Sequence, residues 1–85
     1  MCIACDHESN NIFYAEYGHK LFMYPYNSET DEYSTYEELN IKHGEAVIYS
    51  LAFDQKSKKL VVLDSYGGIL ILEKGNQGNN YYVVQ

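Results

Sequence analysis

The sequence predicts an all-β chain of two four-stranded antiparallel sheets. Three observations lead there. The segment Ile3-Ala4-Cys5-Asp6-His7-Glu8-Ser9 aligns with Leu51-Ala52-Phe53-Asp54-Gln55-Lys56-Ser57 at an offset of 48 residues, and both copies continue as apolar run, turn, apolar run. Short apolar and aromatic runs bounded by Gly, Asn, Asp and Ser clusters recur along the whole chain, which is the pattern of strands joined by turns. Helix signals are confined to one acidic stretch, Thr30 to Asn40, where Glu37, Glu38 and Leu39 are good helix formers.

In the first copy, Met1 to Cys5 reads as strand A and Asp6 to Asn11 as a polar turn. Ile12 to Glu16 reads as strand B, bounded by Tyr17-Gly18. Lys20 to Tyr24 is strand C. It is closed by Pro25, which lacks the N–H that a ladder needs. Asn27 to Thr35 is polar without apolar periodicity, and Tyr36 to Ile41 follows as a weak, charged fourth strand suited to an exposed edge. A short helix is the competing reading of Thr30 to Asn40.

The second copy predicts strands over Val47 to Phe53, Leu60 to Asp64, Ile69 to Leu72 and Tyr81 to Val84. The continuous apolar runs Leu60-Val61-Val62-Leu63 and Ile69-Leu70-Ile71-Leu72 call for sheets covered on both faces. A one-residue gap opposite Ser65 sets Tyr17-Gly18 on Tyr66-Gly67 and Leu21 on Leu70, while Ile12 matches Leu60 and Glu16 matches Asp64. One domain over 1–85 is expected, with repeats over 1–41 and 42–85.

A period near 50 residues is the length of one four-stranded propeller blade. Ile12-Phe13-Tyr14-Ala15-Glu16 followed by Lys20-Leu21-Phe22 resembles the YWTD-type propeller repeat, in which an aromatic pair, a small residue and an acid end one strand. In the second copy, Ser50-Leu51-Ala52-Phe53-Asp54 with Gly67-Gly68-Ile69-Leu70 is similar to WD-repeat or NHL-like blades, and Val61-Val62-Leu63-Asp64 keeps only the acid of the first pattern. The resemblance implies two propeller-type blades. Propellers have about 4 to 8 blades, so two cannot close a ring. Three arrangements follow: several copies assemble into one ring, a different chain completes the propeller, or the two sheets form an open pair.

Composition narrows the partners. A hydrophobic fraction of 46% with 15% aromatics excludes a disordered chain. All six basic residues are Lys, against twelve acids and a net charge of −6, which leaves no electrostatic footprint for nucleic acid. No apolar run approaches the roughly 20 residues that span a bilayer, and the N-terminal residues lack the regions of a signal peptide. A cytoplasmic location with no membrane partner is therefore expected if the sequence is the full chain.

The candidate binding residues lie in loops. Turns that share one rim of a propeller would carry Tyr17, His19, His43, Glu45 and Tyr66, and aromatic rings with a polar tip bury large area at low entropic cost. Each Tyr-Gly pair also reads simply as turn chemistry, with glycine supplying positive φ. The acidic stretch between residues 29 and 45 carries Tyr33 and Tyr36, which could dock a basic partner or merely keep the loop solvated.

Cys2 and Cys5 have Cys-x-x-Cys spacing, but residues three apart on a strand face opposite sides, and Cys5 aligns with Phe53. Buried or end-of-strand thiols are the expectation; metal work would need His7 or His19 as further ligands. Asp6 and Asp54, at matched positions before polar turns, are expected to hold the turn backbone rather than a calcium ion. Ser50, Ser57 and Ser65 lack a nucleophile context.

The sequence thus predicts a non-catalytic protein- or peptide-binding module with no cofactor or metal, either homo-oligomeric or completed by another propeller chain. The alternatives are a lectin assembled from two-blade subunits, against which the absence of Trp and Arg counts, and a metal-dependent propeller hydrolase resembling regucalcin.

Overall fold

Polypeptide alternation of apolar residues between two faces builds both halves of the molecule. The structure, a computed structural model, describes residues 2–15, 18, 20–39, 41, 47–75 and 81–84. Its strands are β1 (Cys2–Cys5), β2 (Ile12–Ala15), β3 (Leu21–Tyr24), β4 (Tyr26–Asn27), β5 (Glu32–Tyr33), β6 (Glu37–Leu39), β7 (Ile48–Asp54), β8 (Lys59–Asp64), β9 (Ile69–Lys74) and β10 (Tyr81–Val83). The first sheet has the order β1-β2-β3-β6 and the second β10-β9-β8-β7, and every pairing is antiparallel.

The described part of Thr30 to Asn40 contains no helix. Pro25 lies between β3 and β4, and the chain then turns into a small hairpin in which Tyr26 faces Tyr33 and Asn27 faces Glu32. Sequence periodicity does not reveal this hairpin, because a pair of two-residue strands is too short to show alternation. Ser34 N–H closes it by donating to Pro25 C=O at 2.8 Å.

Side-chain alternation separates two faces in each sheet. In the first, Phe13, Ala15, Leu21, Met23 and Leu39 are buried, while the intervening Tyr14, Phe22 and Tyr24 are only half-buried. In the second, Leu51, Leu60, Val62 and Leu72 are buried, and Leu63 and Ile69 lie outward. The two buried sets form one core. Phe13 sits at its centre, stacked on Phe53 at a centroid distance of 5.6 Å and meeting the edge of Tyr81 at 5.0 Å.

Strand register refines the alignment of the two halves. Phe13 pairs with Met23 and Val61 with Ile71; Ile3 pairs with Tyr14 and Leu51 with Val62. Every one of these correspondences is 48 residues, so the gap expected opposite Ser65 is absent and Leu21 corresponds to Ile69 rather than Leu70. The sequence misleads here because Ile69 and Leu70 are equally good apolar matches. In the second sheet, a register shift between Ile48 and Ser50 leaves Tyr49 as a bulge residue, turned out and 76% exposed.

β1 runs beside β7, and polar contacts tie the sheets at this seam. Gln55 Nε2 donates to Cys5 C=O at 2.8 Å, and His7 N–H donates to Gln55 Oε1 at 3.0 Å. Lys58 Nζ reaches Glu8 at 2.8 Å and Asp6 at 3.7 Å, and Ile48 N–H donates to Gly18 C=O at 3.0 Å.

Candidate binding surface

The most developed concave feature on the outer face of the first sheet is aromatic. Tyr14 on β2 and Phe22 and Tyr24 on β3 alternate with the buried Phe13, Leu21 and Met23, so strand geometry sends them all to the opposite face. Tyr36, just before β6, folds over them. The four rings form a closed circuit of contacts. Centroids are 6.2 Å apart for Tyr14 and Phe22, 5.2 Å for Phe22 and Tyr36, 5.8 Å for Tyr36 and Tyr24, and 6.4 Å for Tyr24 and Tyr14. The tilted and edge-on geometries are those aromatic pairs prefer. Together they line a depression of about 210 Å³.

This face continues to Ile3, which pairs with Tyr14 and is 63% exposed. Its far margin is Glu38, opposite Phe22, with Lys20 Nζ 3.9 Å from the carboxylate. The outer face of the second sheet is aliphatic instead. Leu63 and Ile69 are paired across β8 and β9 beside the Val61–Ile71 pair, and Ile69 is 55% exposed. At one end of this face, Tyr49 and Leu63 line a cavity of about 370 Å³ together with Asp64, Ser65 and Gly67.

Among the residues expected from sequence to bind a partner, Tyr17, His19, His43 and Glu45 lie outside the described residues. Tyr66 sits in the β8–β9 turn and is 77% exposed, beside the aliphatic face. Its turn is set by Asp64, whose Oδ1 accepts from the Tyr66 amide at 2.9 Å and the Gly68 amide at 2.8 Å, and by Gly67 at φ 79°.

The structure separates Tyr33 from Tyr36. Tyr36 joins the aromatic circuit, whereas Tyr33 packs on Tyr26 at 5.2 Å and donates its hydroxyl to Asn10 C=O at 2.9 Å. Tyr33 thereby fastens the β4–β5 hairpin to the β1–β2 turn. The Tyr26 hydroxyl bonds Asp31, which holds the phenol above its ordinary pKa. In the sequence, Tyr14, Phe22 and Tyr24 read as strand residues, with nothing that assigns them to a surface. The signal that marks them is a strand apolar at every position in a sheet with only one face covered.

Cys2 and Cys5 are free and point to opposite faces. Cys2 pairs with Ala15 and packs against the core, while Cys5 pairs with Ile12 on the outer face. Burial raises the Cys2 thiol pKa, which disfavours the reactive thiolate. Among the described residues, no group of three His, Cys, Asp or Glu side chains is placed to hold a metal ion.

Asp6 and Asp54 are used by their turns. Asp6 accepts from the Glu8 amide at 3.0 Å and the Ser9 hydroxyl at 2.9 Å, and Asp54 from the Lys56 amide at 3.2 Å and the Ser57 hydroxyl at 2.6 Å. Comparison with protein-family models, curated proteins and solved structures found no match to this chain.

Proposed function

We propose that the chain is a non-catalytic protein-binding module of two propeller-type blades, and that its outer sheet faces are the contact surfaces. The observation that carries this reading is the pair of exposed apolar faces on opposite sides of one core: the Tyr14–Phe22–Tyr24–Tyr36 circuit with Ile3 on one, and Leu63, Ile69 and Tyr49 on the other. Neighbouring apolar residues left at the surface and rimmed by charged ones are a feature of protein contact sites. Tyrosines supply such contacts with large, rigid area and a hydroxyl for orientation.

Selection from a displayed peptide library against the wild-type protein, with a Phe22→Glu protein and an Ile69→Glu protein as counter-selections, tests the reading. Enrichment of apolar-anchored sequences that lose binding to one or both variants is expected. A selection that yields only binders indifferent to both substitutions would overturn it.

One observation favours a second reading. Three of the four rings in the circuit are tyrosines around a shallow depression, the form in which an aromatic surface stacks on a pyranose. A glycan array decides it: saturable binding to defined sugars, lost in Tyr14→Ala and Tyr36→Ala, replaces the protein-binding reading with a lectin.

A further inference from the structure

The faces of the two sheets are related by the same 48-residue offset as their strands, and among the described residues the contact this relation defines is made once. Phe13, Ala15, Leu21 and Met23 on the first sheet are covered by the second. Their counterparts on the second sheet are Val61, Leu63, Ile69 and Ile71, and this is the face turned outward. In the other direction, Leu51, Leu60, Val62 and Leu72 on the second sheet are buried against the first. Their counterparts are Ile3, Ile12, Tyr14 and Tyr24, again an outward face. The internal interface is therefore front to back, and among the described residues one front and one back remain turned outward.

We infer that the occupant of each outward face is a second copy of this chain, docked head to tail: the aliphatic face of one copy takes the aromatic face of the next. This rests on the protein-binding reading above and names its partner. The front of the second sheet has the same strand register as the covered front of the first, and the back it would receive has the register of the back already buried, with Tyr14 and Tyr24 where that one carries Val62 and Leu72. Aliphatic side chains against tilted rings repeat the kind of packing seen where Leu60 and Leu72 share a core with Phe13.

The margins are compatible with burial. Lys20 lies 3.9 Å from Glu38 on one face and Lys59 lies 3.9 Å from Glu73 on the other, so among the described residues these charges already have opposite-sign neighbours. At the seam, the position of Gln55, which bridges to Cys5 and His7, is taken in the next copy by His7. That side chain can offer a ring N–H toward the carbonyl of Phe53. Contacts of this heterologous type close into a ring when the rotation per copy permits, and two to four copies would supply the roughly four to eight sheets of a closed propeller. Each copy carries a charge of −6, so added salt strengthens the association by screening the repulsion.

The test is mass by light scattering across a micromolar to submillimolar dilution series, for the wild type and two variants. Ile3→Glu spoils the back and Ile69→Glu the front, both at positions more than half exposed, so the fold survives, as far-UV circular dichroism checks. The wild type is expected at two to four times the monomer mass. Each variant alone falls to the monomer, because every contact in a homogeneous sample needs one face of each kind. Mixed one to one, the variants retain one sound front and one sound back and form a dimer that grows no further.

Association retained by either single variant, or a mixture that stays monomeric, overturns the head-to-tail contact. A wild type that stays monomeric overturns the inference but leaves the protein-binding reading standing if the peptide selection still depends on Phe22 or Ile69. A selection indifferent to both residues removes that reading as well.

Discussion

Asp6 and Asp54, 48 residues apart, close their turns with the same three hydrogen bonds. In each, Oδ1 accepts from the amide two residues on, Oδ2 from the serine hydroxyl three residues on, and the backbone carbonyl from the amide four residues on, at 2.7 Å for Asn10 and 2.8 Å for Lys58. The residue four positions on is left-handed in both turns, Asn10 at φ 64° and Lys58 at φ 60°. The turns differ in surroundings. Asp6 is buried at the seam and receives Lys58 of the other turn, whereas Asp54 is exposed.

That difference predicts unequal costs for the same substitution. Asp6→Ala leaves the Glu8 amide and Ser9 hydroxyl without their acceptor in a buried setting and removes one partner of Lys58. It is expected to lower stability by about 2 kcal/mol, typical of a charge-assisted hydrogen bond lost inside a protein. Asp54→Ala lets water replace the carboxylate and costs distinctly less. Urea midpoints of the two variants, measured side by side, check the order.

The same carboxylates set the acid limit of stability. Burial pushes the Asp6 pKa up, but the Glu8 amide, the Ser9 hydroxyl and the Lys58 charge together outweigh it and hold the group below its ordinary value. The Ser57 hydroxyl, then the Lys56 amide, lower Asp54. Groups with a depressed folded pKa contribute stability that is present above the unfolded value, near about 4, and lost as pH falls through the folded one. At the alkaline end, the bond to Glu8 raises Lys58 and burial raises Tyr81, so their contribution is present below about 10 and lost as pH climbs. Melting temperatures across pH should form a plateau with falls at both ends, and Asp6→Asn should flatten the acid fall.

The β8–β9 turn separates two roles of glycine. Gly67 has φ 79° with open space around its missing Cβ, so Gly67→Asn is tolerated and Gly67→Val is strained. Gly68 is constrained by contact: a Cβ there would stand 2.6 Å from Asp64 Oδ2. Gly68→Ala must push that carboxylate aside and with it the bonds to the Tyr66 and Gly68 amides, a loss of about 1 kcal/mol. Thermal denaturation of the Gly67→Asn and Gly68→Ala proteins should show the smaller change at Gly67.

Much of this was legible in the sequence because it is local. Eight strands with their turns follow from apolar runs and turn residues, and the twin roles of Asp6 and Asp54 follow from their place before polar turns. What the sequence left hidden is relational. Nothing in Tyr14, Phe22 or Tyr24 as strand residues states which sheet face is covered, since both faces of β2 and β3 are apolar. Tyr33 and Tyr36 look alike in an acidic stretch, and only the β4–β5 hairpin, too short for a periodic signal, sends one to Asn10 and the other to Phe22. Asn11 reads as a turn residue, yet it is buried, and its Oδ1 accepts from the Tyr26 amide at 2.9 Å.

The contact between Phe13 and Tyr81 joins β2 of the first sheet to β10 of the second across the core. Phe13 is fully buried between Phe53 and Tyr81, and Asn11 hydrogen-bonds the Tyr81 hydroxyl from the first sheet. Removing the Phe13 ring opens a cavity flanked by two aromatic side chains that cannot collapse without breaking the sheet pairing. Phe13→Ala is therefore expected to cost about 3 to 5 kcal/mol, comparable to the whole stability of a chain this small. Tyr81→Phe keeps the edge contact and loses only the Asn11 bond, about 1 kcal/mol. Deleting residues 81–85 removes the ring, the bond and the strand paired with β9, leaving the apolar β9 edge open, so the truncated protein should aggregate. The three variants compared by urea denaturation and light scattering should rank Tyr81→Phe mildest. A truncated chain that keeps its solubility and melting temperature would show that β10 is dispensable to the second sheet.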